Sequence, residues 1–157
     1  MKMKDVKVMK QESLKIGNQL CFKIYSVSKA MTRLYKPILQ SLNLTYPQYL
    51  VMLILWEHEK ISFKDISNSL KMKTGTLTPI LSNLESQGCL YRVKDEKDDR
   101  KVFIHITSKG LKLQEEALGV PDEINCRVKL SMDEYLKYMM EFDELLRKLD
   151  EIENYRY

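Results

Sequence analysis

Glycine and proline are scarce, five and four in 157 residues, which argues against a loop-rich β-sandwich and for long helices. Cysteine is scarce too. Cys21, Cys89 and Cys126 are odd in number and far apart, so they form no disulfide framework and suit a reducing cytoplasm. Long hydrophobic runs are missing. The longest, residues 49–56, falls far short of the roughly 20 residues a membrane-spanning helix needs. The opening Met1-Lys2-Met3-Lys4-Asp5-Val6-Lys7 lacks the continuous apolar core of a secretory signal. These absences predict a cytoplasmic protein with no membrane partner. A strong charge imbalance is also absent: the net charge is +4, too small to name a nucleic-acid partner without knowing where the basic residues lie.

Hydrophobic residues make up 44% and charged residues 31%, enough to build a core in one compact domain, or in a small domain with helices that dimerise it. The apolar positions Ile16, Leu20, Ile24, Val27, Met31, Leu34 and Ile38 recur at gaps of four and three, a seam along one long helix. Two starts fit: a cap at Ser13, or a later first turn at Gly17-Asn18. Pro37 is expected to end or kink the helix. A seam this long in so small a chain predicts pairing with a second copy.

Thr45-Tyr46-Pro47 opens the next helix, with Thr45 as cap and Pro47 in the first turn, where a missing N–H costs nothing. Its expected apolar residues are Leu50, Leu53, Ile54 and Trp56. A short helix over 64–70, a tight link through Lys71-Met72-Lys73 and a helix over about 74–87, stopped by Gly88, read as a helix-turn-helix. Strands over 89–93 and 102–106 flank the charged turn 94–100, and such a hairpin behind a helix-turn-helix is a wing. Thr107-Ser108 caps a helix to about Leu118, Val120-Pro121 interrupts it, and Ser131-Met132-Asp133-Glu134 starts the last helix with a capping box. The Met and Tyr residues between Met132 and Met140 are expected to pack within that helical region. The fold class is mainly α with a small β wing: tail 1–12, winged helix-turn-helix 45–107, and a dimerisation region made of 13–44 and 108–157.

The order of these elements, with Asp98-Asp99-Arg100 followed by Ile106-Thr107 and Gly110, resembles the MarR family of transcriptional repressors over roughly residues 13 to 150. Four strings, Asn18-Gln19-Leu20-Cys21-Phe22, Tyr46-Pro47-Gln48-Tyr49, Leu55-Trp56-Glu57-His58-Glu59 and Thr74-Gly75-Thr76-Leu77-Thr78-Pro79, resemble its organic-hydroperoxide-sensing branch. The resemblance implies a dimeric DNA-binding repressor, not an enzyme.

On the residues themselves, Thr74, Gly75, Thr76, Thr78 and Pro79 place small groups and hydroxyls at the start of a helix that can meet phosphates and base edges. Pro79 then requires the helix to begin late, and Asn83 lies one turn on, within reach of a base. Lys71 and Lys73 are candidate phosphate contacts. In the wing, Arg92, Lys94, Lys97, Arg100 and Lys101 gather among acids. The resemblance implies that Asp98 steadies Arg100 for the minor groove. A symmetric dimer predicts an inverted-repeat operator in double-stranded DNA.

Cys21 sits beside the apolar seam, with Tyr25 one turn along. If Asn18 caps the helix, the thiol lies in the first turn, where its thiolate is favoured and an organic hydroperoxide can oxidise it. The resemblance adds Tyr35 and Tyr46 as hydroxyl partners. Fourteen residues of continuous helix put Tyr35 roughly 21 Å from Cys21, so such a contact requires the other subunit. The resemblance also makes Cys126 a resolving cysteine, the alternative being a mixed disulfide with a low-molecular-weight thiol. Cys89 reads as structural. His58 and His105 have no companions for a metal set, apart from a weak option of His58 with Glu57 and Glu59, and no cofactor is implied. Three other readings remain: a repressor released by a small aromatic ligand in the cleft between dimer helices and winged domain, a thiol peroxidase, and a helical scaffold. The peroxidase lacks any Arg or His near Cys21 to drive turnover.

Overall fold

The computed structural model describes residues 12–98 and 100–154. The tail expected at 1–12 lies outside them except for its last residue, as do Asp99 of the wing motif and residues 155–157. Two compact units divide at Val120 and Pro121.

In the first unit a 3-10 turn, Ile16–Asn18, precedes helix α1, Leu20–Ser41. The later of the two starts is the observed one. The cap is Gln19 rather than Asn18, and its backbone is extended without a side-chain cap bond. Both amides reach backwards instead: Asn18 Nδ2 donates to the Glu12 carbonyl at 2.9 Å, and Gln19 Nε2 to that of Ser13. Pro37 does not end α1, which continues to Ser41. The ring removes the bond to the residue 33 carbonyl, but Ile38 and Leu39 just beyond it are 7% and 0% exposed. Burying two such side chains contributes about 1.5–3 kcal/mol each, which offsets the proline's helix cost of about 3 kcal/mol.

Helix α2, Tyr46–His58, begins with a reciprocal cap in which Thr45 N donates to Gln48 Oε1 at 2.7 Å. Its buried residues are Gln48, Tyr49, Val51, Met52 and Leu55, not the set expected from the sequence; Leu53 is exposed. The segment is apolar on every side, so periodicity alone cannot say which face turns inward.

Strand β1, Lys60–Ser62, leads into α3, Phe63–Ser69, capped by Ser62. Helix α4 follows at Thr74–Ser86, with Leu77, Leu81 and Leu84 fully buried on its inner face. Gly88, at φ +73°, takes the left-handed conformation that stops it. Strands β2, Leu90–Lys94, and β3, Val102–Ile106, pair antiparallel from Leu90 with Ile106 to Lys94 with Val102. β1 adds to the other edge of β3, giving the order β1-β3-β2.

Helix α5, Ser108–Ala117, is capped by Thr107, whose side chain accepts from Gly110 N at 3.1 Å. Gly110 is required there: a Cβ would overlap the Cys89 carbonyl oxygen. Its own carbonyl accepts the Trp56 indole N–H at 2.9 Å. In the single chain α5 and α1 fall in the same compact unit as the winged elements.

The second unit holds α6, Val120–Val128, beyond its first residue, and α7, Met132–Asn154. Val120-Pro121 begins a helix rather than only breaking one, since proline is tolerated in a first turn. Ser131 and Glu134 form the capping box, with N···O distances of 2.8 and 3.2 Å. Met132, Tyr135, Tyr138, Met139 and Met140 are exposed in the single chain. Further along, Phe142, Leu146, Leu149 and Ile152 are exposed as well.

Candidate nucleic-acid interface and thiol site

The inner leucines of α4 leave its opposite face to solvent. Thr74, Gly75, Thr76, Thr78 and Pro79 are all exposed there. Lys73, the exposed N-cap, provides no side-chain cap, so first-turn N–H groups stay open to an anion. Nothing lies within 4 Å of where a Gly75 Cβ would stand, and the backbone can be approached closely. Pro79 departs from expectation. It sits inside the helix, not near its start, and deprives the Gly75 carbonyl of its usual N–H partner.

Asn83 is exposed, and its Oδ1 accepts from Gln48 Nε2 at 2.5 Å and from Gln87 Nε2 at 2.7 Å, which ties α4 to the start of α2. Ser82 and Ser86 are the exposed polar residues that the sequence reading missed. The available signal was the spacing of four from Thr78 to Ser82 and again from Ser82 to Ser86. Arg92 is not free in the wing: its Nε donates to Glu85 Oε2 at 2.8 Å, its backbone N to Glu85 Oε1 at 3.0 Å, and its Nη2 to Ser82 Oγ at 2.7 Å. That half-buried pair ties β2 to α4.

At the hairpin tip Asp95 Oδ1 accepts from the backbone N–H groups of Lys97 and Asp98, both at 3.0 Å. Asp98 Oδ1 in turn accepts from Arg100 Nε at 3.0 Å and Arg100 N at 3.1 Å. These bonds hold the Asp98 carboxyl below its ordinary range. The Arg100 side chain is 91% exposed, so a charge that is oriented at its base projects into solvent. Lys97 is exposed beside it, and Lys71 is exposed at the helix-turn-helix link.

Cys21 is exposed in the first turn of α1, and Tyr25, one turn on, is 55% exposed. Tyr35 lies elsewhere, its ring 4.9 Å from that of Tyr46 and 5.9 Å from that of Tyr49. α1 is unbroken between Cys21 and Tyr35, so the two stay roughly 21 Å apart in one chain. Burial pushes the Tyr46 and Tyr49 hydroxyls up. Cys89 is buried, and burial raises its thiol against the opposing charge of Lys109. Cys126 is exposed, on α6 in the second unit. Tyr25 and Tyr46 both line one cavity of about 970 Å³.

The model of the family described as "Transcriptional regulator SarA/Rot" matches residues 33–117, more than half of the chain. The chain is a MarR/SarA-family transcriptional regulator. This regulator is 46% identical, over 73% of its own length and 78% of the relative's, to the organic hydroperoxide resistance transcriptional regulator of Bacillus subtilis (strain 168). Among solved structures it resembles reduced AbfR bound to DNA, with a TM-score of 0.75, 34% identity and coverage of 91% and 98% of the two chains. It also resembles disulfide-formed AbfR, with a TM-score of 0.58, 35% identity and coverage of 93% and 97%. The regulator therefore has a DNA-binding winged helix-turn-helix fold and is not an enzyme.

Among the described residues no group of three or more His, Cys, Asp or Glu side chains is placed to hold a metal ion. His105 stacks on Tyr91 with centroids 5.1 Å apart. Burial, helped by nearby Lys60, lowers its pKa. His58 is exposed, with Nε2 3.9 Å from Glu57 Oε2.

Proposed function

We propose that the protein is a dimeric repressor that grips an inverted-repeat operator and releases it when Cys21 is oxidised by an organic hydroperoxide. The observation that carries this reading is an exposed thiol in the first turn of a helix whose apolar residues, Leu20 at 64% and Val27 at 50% exposure, lack cover in the single chain. Helices α1 and α7 supply the pairing surface, since apolar faces of this extent mark an interface. The name of the Bacillus subtilis relative and the reduced and disulfide-formed states of AbfR support the redox reading.

In the reacting step the Cys21 thiolate attacks the terminal peroxide oxygen, an S–O bond forms and the O–O bond breaks. The sulfur is oxidised by two electrons to a sulfenic acid, while the alkoxide takes a proton and leaves as an alcohol. The sulfenic acid then condenses with Cys126 or with a low-molecular-weight thiol, expelling water. On DNA, Thr74 to Pro79 meet the major groove, Lys73 and Lys97 meet phosphates, and Arg100, held by Asp98, enters the minor groove. Tyr25, together with Tyr35 and Tyr46 of the opposite subunit, surrounds the sulfur. This work is done in the cytoplasm.

The cavity beside Tyr25 and Tyr46 favours a second reading, release by a small aromatic ligand. Operator binding before and after cumene hydroperoxide, with wild type, Cys21→Ser and Cys126→Ser on non-reducing gels, separates the two. Peroxide release that survives Cys21→Ser would end the redox reading. A covalent dimer that requires both cysteines would select Cys126 over a small thiol.

A further inference from the structure

Arg92 bridges the wing to α4. Its Nε and its backbone N–H both donate to the Glu85 carboxylate, and its Nη2 donates to Ser82 Oγ at 2.7 Å. At about 100° per residue, Ser82 shares the solvent face of α4 with Gly75 and Thr78, turned away from Leu77, Leu81 and Leu84. Ser82 and Ser86 are both exposed, but their hydroxyl hydrogens go to different places. Ser86 Oγ donates its hydrogen back to the Asn83 carbonyl at 2.7 Å. Ser82 Oγ receives instead. A guanidinium has no acceptor, so the Ser82 hydrogen cannot return along that bond, and among the described residues it meets no acceptor. It is left to point outward, on the helix face that Gly75 and Thr78 also occupy.

We propose that Ser82, set by Arg92, is a sequence-reading donor, so that at one position of each half-site this regulator takes guanine and excludes cytosine. The proposal rests on the reading that α4 enters the major groove. There guanine offers two acceptors, N7 and O6, thymine and adenine offer one each, and cytosine presents only its N4 amino donor. An unconstrained serine would not discriminate in this way. Its oxygen carries two lone pairs, and it can accept from an amino group as readily as it donates to a carbonyl. Arg92 occupies one lone pair, and its positive charge beside the other opposes an approaching N–H. Cytosine then sets donor against donor. The same charge polarises the hydroxyl and makes it the stronger donor to guanine. Arg92 touches no base in this arrangement; it is a positioning residue that acts through Ser82.

The test uses the full chain and a pool of randomised DNA duplexes, selected by binding and sequenced, so that every position yields a base preference. Wild type should favour guanine over cytosine about tenfold at one symmetric position of each half-site, the factor that one hydrogen bond supplies against a donor left facing a donor. Ser82→Ala should bring that ratio towards unity and leave the preferences at other positions as they were. Ser82→Thr, which keeps the hydroxyl, should preserve it. Arg92→Lys keeps a charge for Glu85 but gives up the planar fork that spans Glu85 and Ser82, and should readmit cytosine at that same position. Preferences that Ser82→Ala leaves intact at every position overturn the proposal. Uniform weakening by Ser82→Ala across all sequences makes the residue a phosphate contact and overturns it likewise. Cytosine still excluded by folded Arg92→Lys refutes the setting of Ser82 by Arg92. Where Arg92→Lys does not fold, Ser82→Ala against Ser82→Thr still decides the base contact. A wild type that binds duplexes without selecting any sequence refutes the docking of α4 in the groove instead.

Discussion

Gly110→Ala should destabilise the winged domain by about 2–4 kcal/mol. The added methyl would overlap the Cys89 carbonyl oxygen and stand 2.7 Å from Ile106 Cγ1. The oxygen cannot swing aside as a side-chain tip would, because it accepts from Thr107 N at 3.0 Å. The start of α5 must therefore back away from the start of β2. Overpacking of this kind costs about 1–3 kcal/mol. The retreat also strains two hydrogen bonds, Thr107 to Cys89 and Trp56 to Gly110, each with a net contribution near ~1 kcal/mol. Alanine's better helix propensity returns about 1 kcal/mol. Urea unfolding at matched protein concentration is the assay. With a slope of about 2 kcal/mol per molar, the midpoint should fall by about 1–2 M. A midpoint equal to wild type or above it would refute the close-approach argument.

Arg100→Ala should weaken operator binding about tenfold and lower the salt slope by about one counterion without moving the melting temperature, as read by fluorescence anisotropy across salt. Thr107→Ala removes the α5 cap and the 2.7 Å bond to the Gly88 carbonyl, and should cost about 1–2 kcal/mol in a thermal melt. His105 carries a lowered folded pKa, so the unfolded chain binds its proton first as pH falls. Stability should decline from the ordinary histidine value near 6.5 down to the folded value and then level off; His105→Gln should flatten that segment of the pH–stability curve.

Local chemistry made much of this fold legible. The Thr45 and Ser131 capping boxes and the Gly88 stop each depend on groups three or four residues apart, so a linear string contains them in full. The Asp98-to-Arg100 hydrogen bonds are equally short-range. Pro37 and Pro79 misled for the same reason read backwards: a local penalty of about 3 kcal/mol predicts a helix boundary, an end or kink at Pro37 and a late start at Pro79, and only the buried residues around each reveal that the helix runs through it. The bond from Gln48 to Asn83 could not be read from spacing, because the two are 35 positions apart.

The sequence by itself determined the order of helices and strands, the wing and the position of each thiol, since these follow from periodicity and from residues a turn apart. Which face of the uniformly apolar α2 turns inward, the third strand beside β3 and the cavity joining α1, α2 and α4 were decided only in three dimensions. Each depends on which distant segments come together, and a chain's own spacing places no constraint on a neighbour that arrives from elsewhere.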